Sequence, residues 1–284
     1  MKPFLKWAGN KWSLGEKIHQ FTPSSIHRYF EPFLGAGGVL LYLASQGVRT
    51  TVIVSDFNSD LVDAWYQVAD GRPAFYTALE ALSGENSEAK YAYQRRMYNA
   101  RFGTPEERAA RFIYLNKSGF NGLWRMNKKG HFNVPFNRKD KVNLEIANIR
   151  RVREELIDMT EFRLFFSHGD FQTTLDRAGA GDFVYLDPPY LETFSNYTGQ
   201  GFDFEQHKRL AYAARAAAER GATIVCSQGP ALQVIDVWHN LGFNVWEITR
   251  RTNIAASSAS RGEMYEYLLS THVPFRVTGL KRQG

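Results

Sequence analysis

Residues 183–190, Phe-Val-Tyr-Leu-Asp-Pro-Pro-Tyr, constrain this chain more than any other stretch. Four residues of strand type run into Asp187, two prolines and Tyr190, so a strand must stop abruptly and project its last side chains from the carboxyl end of a sheet. That edge is where open α/β sheets hold ligands. Pro188 and Pro189 have no N–H and a fixed φ, so the turn offers the Pro188 carbonyl as an acceptor beside the Asp187 carboxylate. Two adjacent acceptors suit one NH2 group. Taking both N–H bonds of a nucleobase amine favours a pyramidal nitrogen and releases its lone pair for attack. Tyr190 adds a flat face on which an extruded base can stack. The structural alternative is a strand followed by a plain Pro-Pro turn.

A second pattern lies upstream. From Arg28 the chain reads as strand, glycine turn (Gly35, Gly37, Gly38) and apolar helix, followed by the strand Thr51-Val-Ile-Val-Ser with Asp56 at its tip. An acid about twenty residues beyond the first glycine comes close to the dinucleotide fingerprint, but Leu40 stands at the third glycine. An adenosine ligand without a pyrophosphate asks only for a close backbone turn and an acid for the ribose hydroxyls, so the pattern prefers S-adenosylmethionine to NAD. Glycines serving tight helix–strand packing are the alternative. Sheet structure resumes at Phe162, and Gly169-Asp170-Phe171 at the end of that strand reads as a wall for the adenine half of the ligand. Lys6 and Lys11 flank Trp7-Ala-Gly, placing an aromatic and a cation beside a ligand, or else Trp7 caps a core edge.

Between these patterns the βαβ rhythm stops. Residues 71–159 read as a mainly helical insertion, with 1–70 and 160–284 forming one α/β domain around it. Lys90–Arg153 holds 16 Lys+Arg against 4 Asp+Glu, a net of +12, whereas the rest of the chain, with 19 against 25, stands at −6. A basic insertion on an acidic body suits a polyanion, because phosphate neutralisation dominates nucleic-acid affinity. Within it, Asn127-Lys-Lys-Gly130 separates two strand-like runs and predicts a β-hairpin on which aromatics, amides and cations alternate from Phe120 to Arg138. Such a ribbon fits a groove, with Arg for a guanine edge, an amide for adenine and an aromatic for a gap in the stack. An aromatic cluster under a loop is the alternative. Glu192–Gly201 has the composition of a lid, and Arg250–Arg261 reads as a loop with cations at both ends.

With 44% hydrophobic residues the chain can bury a full core. A single cysteine, Cys226 in an apolar run, and seven scattered histidines exclude an internal disulfide and leave no metal-ligand spacing, so no metal is expected. No apolar stretch reaches bilayer-spanning length, and the opening residues lack the run of a signal peptide, so a cytoplasmic protein without a membrane partner is expected.

In order along the chain stand Phe-Leu-Lys-Trp-Ala-Gly from Phe4, Glu-Pro-Phe-Leu-Gly-Ala-Gly from Glu31, Ser-Asp-Phe-Asn-Ser-Asp-Leu around Asp56, Tyr-Leu-Asn-Lys-Ser-Gly-Phe-Asn-Gly-Leu from Tyr114, Phe-Asn-Val-Pro-Phe from Phe132, and Asp-Pro-Pro-Tyr. With these six motifs the sequence resembles the DNA adenine methyltransferase (Dam) family from Phe4 to about Leu269. The resemblance implies a Rossmann-like S-adenosylmethionine-dependent α/β sheet with an inserted target-recognition domain, acting as a monomer on double-stranded DNA at N6 of a flipped adenine. It implies that Trp7, Lys11, Asp56 and Asp187 contact the cofactor, with Phe33, Gly35, Gly37, Asp170 and Phe171 around it. Asp187 and Pro188 would hold the amine, with Tyr190 beside it. Phe120 would insert in the stack, Arg125 read a guanine, and Asn121, Leu123 and Pro135 make neighbouring contacts within GATC, with Arg138 closing the DNA-binding set. The sequence departs from the family pattern at Asn10, Ser118, Phe120 and Trp124. An RNA enzyme acting on an exocyclic amine would share the Asp-Pro-Pro-Tyr tip. A non-catalytic DNA-binding protein on a decayed core is a third reading.

Overall fold

The computed structural model of the protein describes residues 1–161, 163–191, 202–251, 263–274 and 280–282. After a 3-10 turn (Trp12–Leu14) come α1 (Gly15–His19), β1 (Arg28–Glu31), α2 (Gly38–Ser45), β2 (Thr51–Asp56) and α3 (Ser59–Asp70). Then follow α4 (Pro73–Leu82), β3 (Gly84–Glu85), α5 (Glu88–Asn99), α6 (Pro105–Ser118), a second 3-10 turn (Phe120–Gly122), β4 (Lys141–Val142) and α7 (Ile146–Thr160). The last part holds β5 (Leu164–His168), α8 (Phe171–Leu175), β6 (Phe183–Leu186), α9 (Phe204–Glu219), β7 (Thr223–Gln228), α10 (Leu232–Asn240), β8 (Asn244–Arg251), β9 (Glu263–Ser270) and β10 (Lys281–Arg282).

Eight strands form one sheet in the order β10-β8-β9-β7-β6-β1-β2-β5. β5, β2, β1, β6 and β7 run parallel, while β9 pairs antiparallel with both β7 and β8. This is the Rossmann-like sheet expected. The four residues of β6 are all buried, as a central strand covered on both faces requires. From β1 the chain crosses to β2 on one side and later reaches β6 on the other, so the strand order reverses between β1 and β6. In an open α/β sheet a ligand crevice opens at that reversal, beyond the carboxyl ends of the strands.

Helix α3 shows why these segments fold as they do. Asn58 caps it by accepting the Leu61 amide, and Leu61, Ala64, Trp65 and Val68 fall at one face and are buried. α7 follows suit with Ile149, Val152, Leu156 and Met159, and it packs on α2 and α3. The helices between residues 71 and 159 therefore do not enclose a core of their own. Phe75, Leu79, Tyr91, Phe112 and Leu115 belong to the same apolar cluster as Tyr29, Val52 and Val54 of the sheet. α6 starts from a capping box, Thr104 with Glu107, and is buried around its whole circumference from Ala109 to Ser118, which makes it the axis of this layer.

Several expectations shift. The strand after the helical segment begins at Leu164; Phe162 lies outside the described residues. The 71–159 stretch contains a two-residue ladder, Gly84 and Glu85 against Val142 and Lys141. The hairpin forms as two isolated bridges, Gly119 with Phe136 and Met126 with Phe132, closed by the Asn127–His131 turn. Arg250 and Arg251, read as the start of a loop, belong to β8, where Arg251 pairs with Glu263, because the β8–β9 ladder runs on past the apolar residues that mark its start. The remainder of that loop, 252–261, and the expected lid, 192–201, lie outside the described residues. Among the described residues, no helix is long and apolar enough to cross a membrane, and no group of three or more His, Cys, Asp or Glu is placed to hold a metal ion.

Candidate active site and nucleic-acid interface

The crevice at the reversal is built from both glycine-turn and Asp-Pro-Pro-Tyr segments. Asp56 at the end of β2 holds the glycine turn, accepting the Gly35 amide at 2.9 Å and the Asn58 amide at 3.0 Å. Burial pushes its carboxyl above the ordinary range, and the backbone amides of Asn58, Gly35 and Phe57 pull it back. Gly37 has φ +62°, and a Cβ there would come within 2.7 Å of the Trp65 indole. At Gly38 a Cβ would fall 2.6 Å from the Trp12 amide nitrogen, so only glycine lets residues 10–12 lie across the start of α2. That close approach delivers Lys11 to the tip of β6.

There the Lys11 ammonium lies 2.9 Å from Asp187 Oδ1 and 3.2 Å from Oδ2, donates to the Gly9 carbonyl at 2.9 Å, and stands 3.6 Å from Glu266 Oε1. Tyr190 donates its hydroxyl to the same Glu266 oxygen at 2.6 Å, and the Lys11 nitrogen is 4.9 Å from the Tyr190 ring centre. Pro188 is buried between Asp187 and the exposed Pro189. Glu31, at the end of β1, is also buried and accepts the Tyr29 hydroxyl at 2.8 Å. Burial pushes its carboxyl well above the usual carboxylate range, the Tyr29 bond opposes this, and the charges of Asp187 and Asp56 add to the push. Residues 10–12 thus lie on the glycine turn that Asp56 holds while Lys11 pairs with Asp187, which brings the two segments together.

Of the aromatics assigned to the ligand wall, Phe33 is partly exposed, whereas Phe171 is buried behind it with ring centres 5.5 Å apart. Phe33 is thus the ring able to face a ligand, and Phe171 its backing. Asp170 caps α8 through the Gln172 amide and pairs with Arg209, one bond being 3.1 Å. Burial pushes its carboxyl up, but Arg209 and that amide more than offset this and hold it below its ordinary value. Phe57, next to Asp56, is 64% exposed. Sequence reasoning passed over it, although an apolar residue directly after a strand-tip acid was the available signal.

Behind the tip, His207 of α9 is buried with Nδ1 3.4 Å from Gln228 Nε2. Burial pushes its pKa down to about 4, with the Pro189 backbone and Asp203 opposing. The unfolded imidazole takes a proton near 6.5 while the folded one resists to about 4, so acidification through that window favours the unfolded state. The unfolding free energy from denaturant titrations should fall from pH 6.5 towards 4 by up to ~1.4 kcal/mol per pH unit from this group, and His207→Gln should flatten that slope. An unchanged slope in the variant would show that His207 is not held neutral.

On the hairpin side, Phe120, Asn121, Leu123, Arg125, Pro135 and Arg138 are all exposed on one excursion of the chain. Asn121 and Arg138 take left-handed backbone (φ +52° and +59°), the Pro135 carbonyl accepts the Phe120 amide at 2.8 Å, and Arg125 Nε donates to Asn133 Oδ1 at 2.9 Å. Two of the departures from the family pattern face inward. Ser118 is fully buried, and Trp124 is sandwiched between Phe112 and Phe132 with ring centres 4.1 and 4.5 Å away. The hairpin is tied to the crevice through Asn116, whose side chain bonds both the amide and the carbonyl of Lys6 at 2.8 Å and reaches the Gly122 carbonyl at 3.3 Å.

The family model for D12 class N6 adenine-specific DNA methyltransferases matches residues 7–254. The chain belongs to that family. It is 31% identical over 288 residues to the DNA adenine methylase of Escherichia coli K12, covering 99% of each chain. To the Type II methyltransferase M1.LlaDCHI of Lactococcus lactis subsp. cremoris it is 30% identical over 282 residues, 96% of each. To the Type II methyltransferase M.MjaIII of Methanocaldococcus jannaschii it is 31% identical over 293 residues, 96% of this chain and 99% of that one. Among D12 class sequences, then, the match spans the glycine turn, the hairpin and the Asp-Pro-Pro-Tyr tip together.

Proposed function

We infer that this D12 class chain methylates N6 of an adenine flipped out of duplex DNA, within GATC, using S-adenosylmethionine. The observation that carries the reading is the meeting of Asp187 with the Gly35–Asp56 turn at one crevice, joined through residues 6–11 to an exposed hairpin bearing Phe120 and Arg125. The residues fit an adenosine-type ligand. Asp56 suits ribose hydroxyls, Phe33 and Phe57 offer aromatic faces, and the glycine turn, by letting Trp65 and residues 10–12 pack against it, sets Lys11 beside that place. Trp7, Lys11, Phe33, Gly35, Gly37, Asp56 and Asp187 would hold the group, with Asp170 and Phe171 supporting the pocket from behind. Bound there, S-adenosylmethionine supplies an activated methyl.

The rest falls to the protein. Asp187 and the Pro188 carbonyl accept the two N–H bonds of the adenine amine, orient its lone pair and receive the departing proton, while Tyr190 keeps the tip in place beside the base. The hairpin, as a target-recognition element within residues 71–159, reads the duplex. Phe120 fills the gap left by the flipped base, Arg125 takes a guanine edge, and Asn121, Leu123, Pro135 and Arg138 flank them. The inward placement of Ser118 and Trp124 leaves the reading surface to residues matching the family, apart from Phe120, and favours GATC.

Transfer of a radiolabelled methyl group to unmethylated duplexes with GATC or a scrambled site, followed by mapping of the modified base, tests the reading. Label on N6 of the GATC adenine is expected. Label on RNA alone, on cytosine, or on both duplexes equally would refute it. Arg125→Ala should relax discrimination at one base pair, costing roughly 1–3 kcal/mol there. Competition binding with single-base variants of the site checks this, since a uniform loss across sequences would make Arg125 a phosphate contact.

A further inference from the structure

Asn116 is fully buried on α6, the helix at the axis of its layer, and both the donor and the acceptor end of its side chain are engaged. Oδ1 accepts the Lys6 amide at 2.8 Å, while Nδ2 donates to the Lys6 carbonyl at 2.8 Å and to the Gly122 carbonyl at 3.3 Å. Two of these bonds imitate a neighbouring strand against residue 6, and the third ends on the turn that displays Phe120. We propose that Asn116 is a positioning residue that fixes the reading turn relative to the crevice that receives the extruded adenine. The inference rests on the function proposed above and deepens it, since an extruded base meets its amine acceptors only when the turn that displaces it stands at a set place.

Both ends of the clamp bear on this. At one end, the turn Phe120–Gly122 is held by the Phe120 amide, bonded to the Pro135 carbonyl at 2.8 Å, and by the Gly122 carbonyl, bonded to Asn116. At the other, Lys6 opens the short segment that ends in Lys11, whose ammonium meets Asp187 at 2.9 Å. Gly122 brings the two ends together. It has φ +66°, and a Cβ there would come 2.5 Å from the Lys6 Cβ, so only glycine lets the turn lie against residue 6. A longer bond, from the Lys6 ammonium to the Lys117 carbonyl at 3.5 Å, closes over the same contact. Burial of α6 around Asn116 makes a rigid mount for the amide. A misplacement of about 1 Å at a reacting centre can cost roughly 10²-fold in rate. Such a clamp therefore governs turnover more than either binding step.

Asn116→Asp keeps the shape and the acceptor but sets an oxygen, in place of the donating NH2, against two carbonyls. In the full chain, turnover at saturating S-adenosylmethionine and GATC duplex should fall by about 10–10²-fold. Affinity for the duplex, read by gel shift and dominated by phosphate contacts, should change by less than about threefold. Affinity for S-adenosylhomocysteine, read by calorimetry, should hold within the same limit, because residues 10–12 keep their own seat on the glycine turn. Gly122→Ala attacks the same contact from the other side and should give the same split. The paired variant should be no slower than the slower single one, because both changes break one contact. Gly122→Ala keeps the proposal open to refutation where Asn116→Asp does not fold. Turnover within about twofold of the wild type, losses that multiply in the pair, or parallel losses in turnover and both affinities would make Asn116 a packing residue and overturn the proposal. A wild-type chain that methylates no adenine in duplex DNA would overturn the proposed function instead.

Discussion

Asp187→Ala should yield a protein that still binds duplex DNA and no longer transfers a methyl group. The residues proposed to read DNA sit on the hairpin, and none of their described hydrogen bonds involves Asp187. The carboxylate is held instead by Lys11. Removing it takes away an acceptor fixed in place before the amine arrives, and a preorganised group of this kind is worth about 10²–10³ in rate. If Asp187 receives the proton as proposed, a further general-base factor of about 10²–10⁴ goes with it. Asp187→Asn, which keeps one acceptor oxygen but not the charge, should fall between the two. Labelled methyl transfer read beside a gel-shift titration checks the split. Retained turnover, or loss of DNA binding in a folded variant, would remove Asp187 from its role.

Trp124→Ala should cost roughly 3–5 kcal/mol of stability, the range for a large aromatic truncated in a core. The indole is 2% exposed and packs on Phe112, Phe132 and Tyr98, with Trp7 6.1 Å away. A loss of that size is a large share of the ~5–15 kcal/mol that separates folded from unfolded domains. It should be felt at both the hairpin and the tip of β6, because the exposed Leu123 and Arg125 flank Trp124 while Trp7 belongs to the segment that delivers Lys11. Denaturant unfolding with DNA affinity measured in parallel tests this. A variant as stable as the wild type would show that the aromatic stack does not carry the hairpin.

Much of this arrangement was legible in the order of the residues. The strand stopped by Asp187-Pro188-Pro189, the glycine turn and Asp56 each follow from local rules, and their meeting follows from where an open parallel sheet reverses. What stayed hidden depends on which face of an element turns inward. Trp124 read only as a departure from the family pattern, and that it and Phe171 turn inward was not visible, since adjacent aromatics on an irregular segment give no period from which to choose a side. Glu266 gave no signal in the sequence, because its partner Tyr190 lies 76 residues away and Lys11 much farther. Arg250 and Arg251 read as loop because the Ala- and Ser-rich run after them outweighed the backbone pairing that continues β8.

The segment from Lys6 to Lys11 has a consequence for synthesis. It leaves the ribosome early, yet Lys6 must wait 110 residues for Asn116, and Lys11 a full 176 for Asp187. Contacts so distant form late and slowly. The N-terminal segment therefore stays unanchored through most of synthesis, and the centre that it completes is among the last parts of the fold to form.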